Sequence, residues 1–306
     1  MDADDIVACG QLACILEATC PKPGNVSRFR DFGDTTFEHF MAGCIGTGEA
    51  LRQAVGRGVA VGAGKMSSSE LRLGTWIRKA VEDSRSWHTG GNTNLGTIML
   101  FVPLAAAAGI SLAVHKGIEN QTLRTGVDKL IRESTFVDTV EFYQAIRIAN
   151  PGGMGHVKRY DITSESAKAE IEADDVNLYR IFSLSKADSI AKELVTKMAI
   201  TFEVGYPVLR EAYEKGGNIS QCILRVFFEI LSRHPDTLIA RKNGLEVARG
   251  ITRDAQSILE EGLEGERIRA FDEKLRSRWN RLNPGTTADL VASSLNVALL
   301  NGLKVR

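Results

Sequence analysis

The segment Glu17-Ala-Thr-Cys-Pro21-Lys22-Pro23-Gly24-Asn25-Val26-Ser27-Arg28 brackets a lysine with two prolines. Proline fixes its own φ and pushes the preceding residue out of the helical region, so the stretch is a stiff turn that aims Lys22. A rigid cation followed by Gly24 and Arg28 suits a phosphate. The glycine lets backbone N–H groups come close, and the arginine can bind two oxygens. A surface turn with solvated charges fits the same residues.

Three further clusters could do chemistry. In His88-Thr-Gly90-Gly91-Asn92-Thr93-Asn94-Leu95-Gly96, glycines and small polar side chains crowd a turn before a strongly apolar run. Such a turn lets a ligand lie against backbone while amides and hydroxyls bond to its polar edges, although a helix cap by Asn94 or Thr93 would also use it. His234-Pro235-Asp236-Thr237, running on to Arg241-Lys242-Asn243-Gly244, places a carboxylate five residues before two cations. A magnesium-bound polyphosphate would use both signs, and a solvated turn with an ordinary surface ion pair would explain them as well. Asn283-Pro-Gly-Thr-Thr-Ala-Asp289-Leu is a helix start with a carboxylate in its first turn, and Asp31 and Asp34 flank Gly33 before another helix. For these carboxylates the helix dipole and a metal are competing explanations. Gly56, Gly58, Gly62 and Gly64-Lys65 fail the Walker pattern, because Val59 stands five before Gly64 and Met66 follows Lys65.

The elements that must carry these residues read as helices. Phe37, Phe40, Met41, Cys44, Ile45 and Leu51 fall on one stripe, and Trp76, Ile77, Ala80 and Val81 repeat it after the capping-box pattern Ser67-x-x-Glu70. Apolar positions recur at three and four from Asp188 to Leu209, and a threonine-capped helix is expected from Thr286. The run from Thr97 to Ile110 is read as a buried core helix that carries Pro103. Strand patterns are scarce, and Gly58-Val-Ala-Val-Gly62 is expected to be a loop. The expectation is an all-α fold: residues 1–306 as one multi-helix domain with glycine-rich loops around a central cleft, and a mobile insert over about 150–185.

Composition narrows the partners. The 38 basic and 38 acidic residues cancel, and no block of like charge stands out, so neither nucleic acid nor a membrane surface is expected as a partner. A small molecule or a second copy of the chain, as a homodimer, is expected instead. The acidic start lacks the pattern of a signal peptide, which points to the cytoplasm. The five cysteines include no Cys-x-x-Cys pair and read as buried small hydrophobes, and the five histidines hold no helical metal pair.

Taken in order, these motifs resemble the triphosphoribosyl-dephospho-coenzyme A synthase family across nearly the whole chain. The Pro-Lys-Pro-Gly turn after a glutamate is similar to the family's opening motif, and Asn283 to Leu290 to its Ser-Pro-Gly-Gly-Ser-Ala-Asp-Leu ending. Between them, Gly91 to Gly96 stands where the family has Val-Asn-Thr-His-Lys-Gly. Asn150-Pro-Gly-Gly-Met-Gly155, Asp188-Ser-Ile-Ala191 and Pro235-Asp236-Thr237 to Gly244 resemble further motifs. The resemblance implies an all-helical enzyme that joins ATP to dephospho-coenzyme A through the ribose and expels adenine, with Mg2+ on the triphosphate. It implies Lys22, Gly24, Arg28, Arg241 and Lys242 on phosphates, Asn92 and Thr93 on a nucleotide, and Asp34 and Asp289 as metal carboxylates. Asp236 is the implied base, with Glu17 the second catalytic carboxylate.

The chain also departs from the pattern. Asn94-Leu95 replaces His-Lys, Pro235-Asp236 replaces a paired Asp-Asp, and Arg241-Lys242-Asn243-Gly244 replaces His-Arg-Gly-Gly. Three alternatives follow: a transferase for another phosphorylated precursor, as in the biosynthesis of a one-carbon carrier coenzyme; a non-catalytic helical ligand-binding protein; and a nucleotide glycoside hydrolase.

Overall fold

The computed structural model describes residues 1–277 and 280–305, and among them every regular element is helical. The one trace of strand pairing is an isolated antiparallel bridge between Ser27 and Arg30. The chain forms two compact units: Met1–Leu12 with Ala42–Met198, and Ala13–Met41 with Ala199–Arg306. Both early boundaries fall inside helices, Ala3–Thr19 and Phe37–Gly46.

The first unit is built around the Leu95–His115 helix, in which nearly every side chain up to Ser111 is buried. It is the one helix among the described residues long and apolar enough to cross a membrane, and 78% of its most apolar window is buried inside the protein. The apolar run therefore serves as a core helix. Each buried leucine or phenylalanine along it contributes about 1.5–3 kcal/mol relative to exposure. Its main neighbour is Gly48–Gly62. A side chain begun at Gly58 would run into the Ala106 carbonyl, and one begun at Gly109 into the Val55 carbonyl. The Gly58 to Gly62 stretch is thus helix and not the expected loop, because its glycines serve close helix packing instead of a flexible connection.

Other expectations shift in the same way. The stripe from Phe37 to Leu51 divides into two helices at Thr47, whose hydroxyl donates to the Cys44 carbonyl at 2.7 Å, and Ile45 is 53% exposed. The Ser67 and Glu70 pairing forms, with Ser67 N donating to Glu70 Oε2 at 2.8 Å and Glu70 N to Ser67 Oγ at 3.3 Å. It closes the short Ser69–Leu71 turn, and the α-helix begins only at Leu73. The periodic stretch from Asp188 to Leu209 is interrupted where Lys197 and Met198 take positive φ. Between residues 150 and 185 the chain forms the Ala167–Ala173 and Leu178–Leu184 helices, and Tyr143 Oη donates to the Tyr160 carbonyl at 2.7 Å.

The second unit surrounds the Gly285–Leu300 helix, buried along most of its length. Ile219–Leu231 supplies Phe227 and Phe228, both fully buried. Thr201 Oγ1 donates to Ser293 Oγ at 3.0 Å, and Gly205 lies so close to Ser294 that a Cβ would collide with the hydroxyl.

Candidate functional site

In the second unit the Pro-Lys-Pro-Gly segment forms a turn with Pro23 and Gly24 at its centre, closed by Asn25 N donating to the Lys22 carbonyl at 3.2 Å. Gly24 has φ +74, the conformation that the third residue of a type II turn requires. A side chain there would also strike Leu275 and Pro284. The following residues fold back through the Ser27 and Arg30 bridge, leaving Arg28 exposed at the tip, its guanidinium 4.6 Å from the Phe29 ring centre.

Lys22, expected to face an anion, is 1% exposed. Its Nζ lies 2.8 Å from Glu17 Oε1 and donates to the carbonyls of Glu17 at 2.5 Å and Cys20 at 3.2 Å. An ammonium has three protons, and these three acceptors match them. The Gly24 N–H, expected to approach a phosphate, donates to Asp272 Oδ1 at 2.7 Å. Asp272 also receives Arg276 Nε at 2.8 Å and Arg30 Nη1 at 2.7 Å. The turn is thereby fastened to the Gly265–Arg276 helix.

This opening motif meets the closing one. Asn25 Nδ2 donates to Asn283 Oδ1 at 2.7 Å, across 258 positions of sequence. The closing motif in turn meets the segment around Asp236. That carboxylate is 2% exposed: Oδ1 accepts from Leu238 N at 2.9 Å and Ile239 N at 3.0 Å, and Oδ2 accepts from Thr287 N at 2.7 Å and Thr287 Oγ1 at 2.8 Å. Asp236 is the N-cap of Thr237–Asn243 and also serves the first turn of Gly285–Leu300. The latter helix starts at Gly285, before the expected threonine cap, because a remote carboxylate takes the capping role. Burial pushes the Asp236 carboxyl above the ordinary carboxylate range, while its four hydrogen bonds pull the other way.

Arg241 and Lys242 lie in the last turn of Thr237–Asn243, where cations complement the helix dipole. Lys242 is half-buried. Burial pushes its ammonium below the ordinary lysine value, Arg241 and Arg281 push the same way, and Asp34 and Asp236 oppose them. Arg281 Nη2 donates to the Lys242 carbonyl at 2.5 Å, and Asn243 Nδ2 to the Arg281 carbonyl at 2.7 Å. Three cationic side chains therefore collect at one helix end. Asp34 is exposed, and the nearby helix start at Phe37 is served by Asp31, whose Oδ1 accepts from Phe37 N at 2.8 Å. Asp289 is half-buried in the second turn of Gly285–Leu300.

In the first unit, Asn92 is exposed and its Oδ1 accepts from Leu95 N at 3.2 Å, starting the Leu95–His115 helix. Thr93 Oγ1 lies 3.3 Å from His88 Nε2, and Arg85 donates to the carbonyls of Gly90 and Gly91.

Sequence reasoning missed Asp272, Arg276 and Arg281, which fasten the motif loops. Asp272 and Arg276 carried the spacing of a helical ion pair, but nothing in the sequence tied them to residue 24. Among the described residues no group of three or more His, Cys, Asp or Glu could hold a metal ion. Magnesium needs no such cage, since it is commonly held by one or two carboxylates and substrate phosphates. The exposed Asp34 within electrostatic reach of Lys242 fits that donor set.

The sequence profile of the family described as CitG, ATP:dephospho-CoA triphosphoribosyl transferase, matches residues 3–306. A crystal structure from Archaeoglobus fulgidus, provisionally assigned as a triphosphoribosyl-dephospho-coA synthase, is similar at 27% identity and a TM-score of 0.66. The match covers 88% of this chain and 100% of that one. No curated protein matches.

Proposed function

Because the chain belongs to the ATP:dephospho-CoA triphosphoribosyl transferase family, we propose that Lys242, with Arg241 and Arg28, holds phosphates of the substrates in its second unit. The protein is a transferase of coenzyme biosynthesis that joins the ribose of ATP to dephospho-coenzyme A and releases adenine. The glycosidic C–N bond breaks, a C–O bond to the acceptor hydroxyl forms, and the hydroxyl proton balances the departing adenine. The ribose carbon gains positive charge on the way, and bound phosphates and carboxylates favour that charge.

The observation that carries the phosphate assignment is the half-buried Lys242 between two arginines. A cation that is partly buried and repelled by like-charged neighbours is stabilised most by an incoming polyanion. Asn92 and Thr93 are proposed to orient a nucleotide. Asp34 and Asp289 would hold Mg2+, which supplies charge neutralisation on the triphosphate.

Asp236 and Glu17 are proposed chiefly as positioning carboxylates. Asp236 could take the acceptor proton only by giving up a bond to Thr287, and Glu17 only by loosening Lys22. In this reading the Lys22 and Glu17 pair shapes the turn that presents Arg28. A cytoplasmic setting and a homodimer belong to the same proposal, and the balanced charge of the chain supports small-molecule partners over nucleic acid.

The test is incubation of the purified protein with ATP, Mg2+ and dephospho-coenzyme A, following adenine by chromatography and the adduct by mass spectrometry. Adenine and adduct in equal amounts are expected. Adenine without adduct would indicate a hydrolase, and neither product would leave another acceptor or a non-catalytic role.

A further inference from the structure

Trp87 is 68% exposed, more than any other large apolar side chain among the described residues. Trp76 shows how this chain uses an indole for packing: its Nε1 donates to the Leu71 carbonyl at 3.0 Å, and the Arg57 guanidinium lies 5.9 Å from its ring centre. The Trp87 side chain has no hydrogen bond and no ring contact among the described residues. An indole left in water forgoes the burial of one of the largest apolar surfaces a residue offers.

The backbone under this indole is nevertheless fixed. Trp87 closes the Leu73–Ser86 helix, its N–H donating to the Ser84 carbonyl at 3.4 Å. One turn earlier, Arg85 donates to the carbonyls of Gly90 and Gly91 and so fastens the glycine-rich turn to the helix end that carries the indole. Asn92 stands in that turn. Its Oδ1 accepts from Leu95 N, which sets the orientation of the amide and leaves the Nδ2 protons without a partner among the described residues. An amide NH2 can only donate, so what it lacks is an acceptor. A flat aromatic face beside an outward amide donor suits a planar heterocycle whose ring nitrogens accept.

The exposed indole is also not isolated. Ile45 precedes Gly46, which packs so closely on the last turn of Leu73–Ser86 that a Cβ would stand 2.8 Å from the Asp83 carbonyl oxygen. The Phe136–Ala149 helix runs parallel to Leu73–Ser86, with Gly74 N donating to Asp138 Oδ1 at 3.0 Å and Arg78 Nε to Glu141 Oε2. Equal advances from Arg78 to Ser86 and from Glu141 to Ala149 bring the two helix ends level. Ile148 at that end, and Met154 in the loop that leaves it, are exposed as well. Exposed apolar side chains gathered among polar ones mark a binding surface.

We propose that Trp87 stacks on an adenine ring and that Asn92 Nδ2 donates to one of its ring nitrogens. This rests on the transferase reading for the identity of the base, which ATP and dephospho-coenzyme A both carry.

Tryptophan fluorescence and calorimetric titration of the native protein, Trp87→Phe and Trp87→Ala with adenosine, ATP, dephospho-coenzyme A and inorganic tripolyphosphate test the assignment. Adenine-bearing ligands should quench the native emission and tripolyphosphate should not. Trp87→Phe, which keeps an aromatic face, should lose most of the quenching while holding its affinity within a few-fold. Trp87→Ala should bind adenosine about tenfold more weakly, with tripolyphosphate unchanged. A loss shared by adenosine and ATP alone assigns the base to ATP, and one shared by adenosine and dephospho-coenzyme A alone assigns it to the acceptor. Native affinity of Trp87→Ala for every adenine-bearing ligand, or no quenching of the native protein at saturation, overturns the proposal. So does a Trp87→Ala protein that changes its oligomeric state on sedimentation while binding adenosine normally, since the face then joins two copies of the chain. Adenosine binding that depends on Trp87 in a protein forming no adduct would remove the transferase reading and leave the stacking contact standing.

Discussion

Thr287 donates both its backbone N–H and its hydroxyl to a single oxygen of Asp236, at 2.7 and 2.8 Å. The other oxygen serves Leu238 and Ile239, so one buried carboxylate closes two helix starts that are remote in sequence. Asp236→Ala is expected to lower the unfolding free energy by about 3 kcal/mol or more, and Thr287→Val by about 1 kcal/mol. Urea denaturation checks both values. An Asp236→Ala protein as stable as the native one would show that the shared cap is dispensable.

Lys22 and Glu17 form a buried pair, and removing one partner leaves the other charge uncompensated. Lys22→Met should cost about 3–5 kcal/mol, with much of it recovered when Glu17→Gln is added. Thermal melts of the two single variants and the double variant measure the coupling. If Lys22→Met melts normally but loses phosphate affinity, Lys22 belongs on the ligand and not in the turn.

Phosphate affinity should be pH-dependent through Lys242. Its ammonium titrates below the ordinary lysine value because of burial and the neighbouring arginines. The charge is present at lower pH and is lost as pH rises through the depressed pKa, so affinity should fall on the alkaline side earlier than an ordinary lysine would allow. Lys242→Arg, which keeps its charge, should move that decline to higher pH, and Lys242→Ala should lose roughly tenfold in affinity. Tripolyphosphate titrations across the alkaline range give the comparison.

Asp34→Asn should raise the Mg2+ concentration needed for half-maximal adenine release while leaving the melting temperature unchanged. The side chain is exposed, and the nearby helix start is served by Asp31. An unaltered Mg2+ dependence would move the metal role away from Asp34.

Gly58→Ala should destabilise the first unit by about 1–3 kcal/mol, since the added methyl meets the Ala106 carbonyl. Far-UV circular dichroism during thermal unfolding detects the loss.

The helical class was legible because apolar positions recur at three and four, and because glycine, proline and cap residues mark the breaks. The turn at Lys22 could also be read, since proline followed by glycine specifies its backbone. What the turn does with its lysine could not, because the partner carbonyls of Glu17 and Cys20 depend on how the chain curls back. Glycines misled where they serve packing: Gly58 looks like loop material in sequence and lies against a neighbouring helix in space. The Asp236 cap was hidden for another reason. A local pattern pairs a cap with the helix it precedes, and here half of the hydrogen bonds go to Thr287, 51 positions away.

The bond between Asn25 and Asn283 carries a kinetic cost. The second unit takes its opening strip from residues 13–41 and the rest from 199–306, so during synthesis that strip cannot complete its packing until the far segment leaves the ribosome. Non-local closure of this kind is slow and exposes apolar surface in the interval. Chaperone dependence in the living cell should accordingly concentrate on residues 13–41, while the first unit, drawn mostly from one continuous stretch, can mature ahead of them.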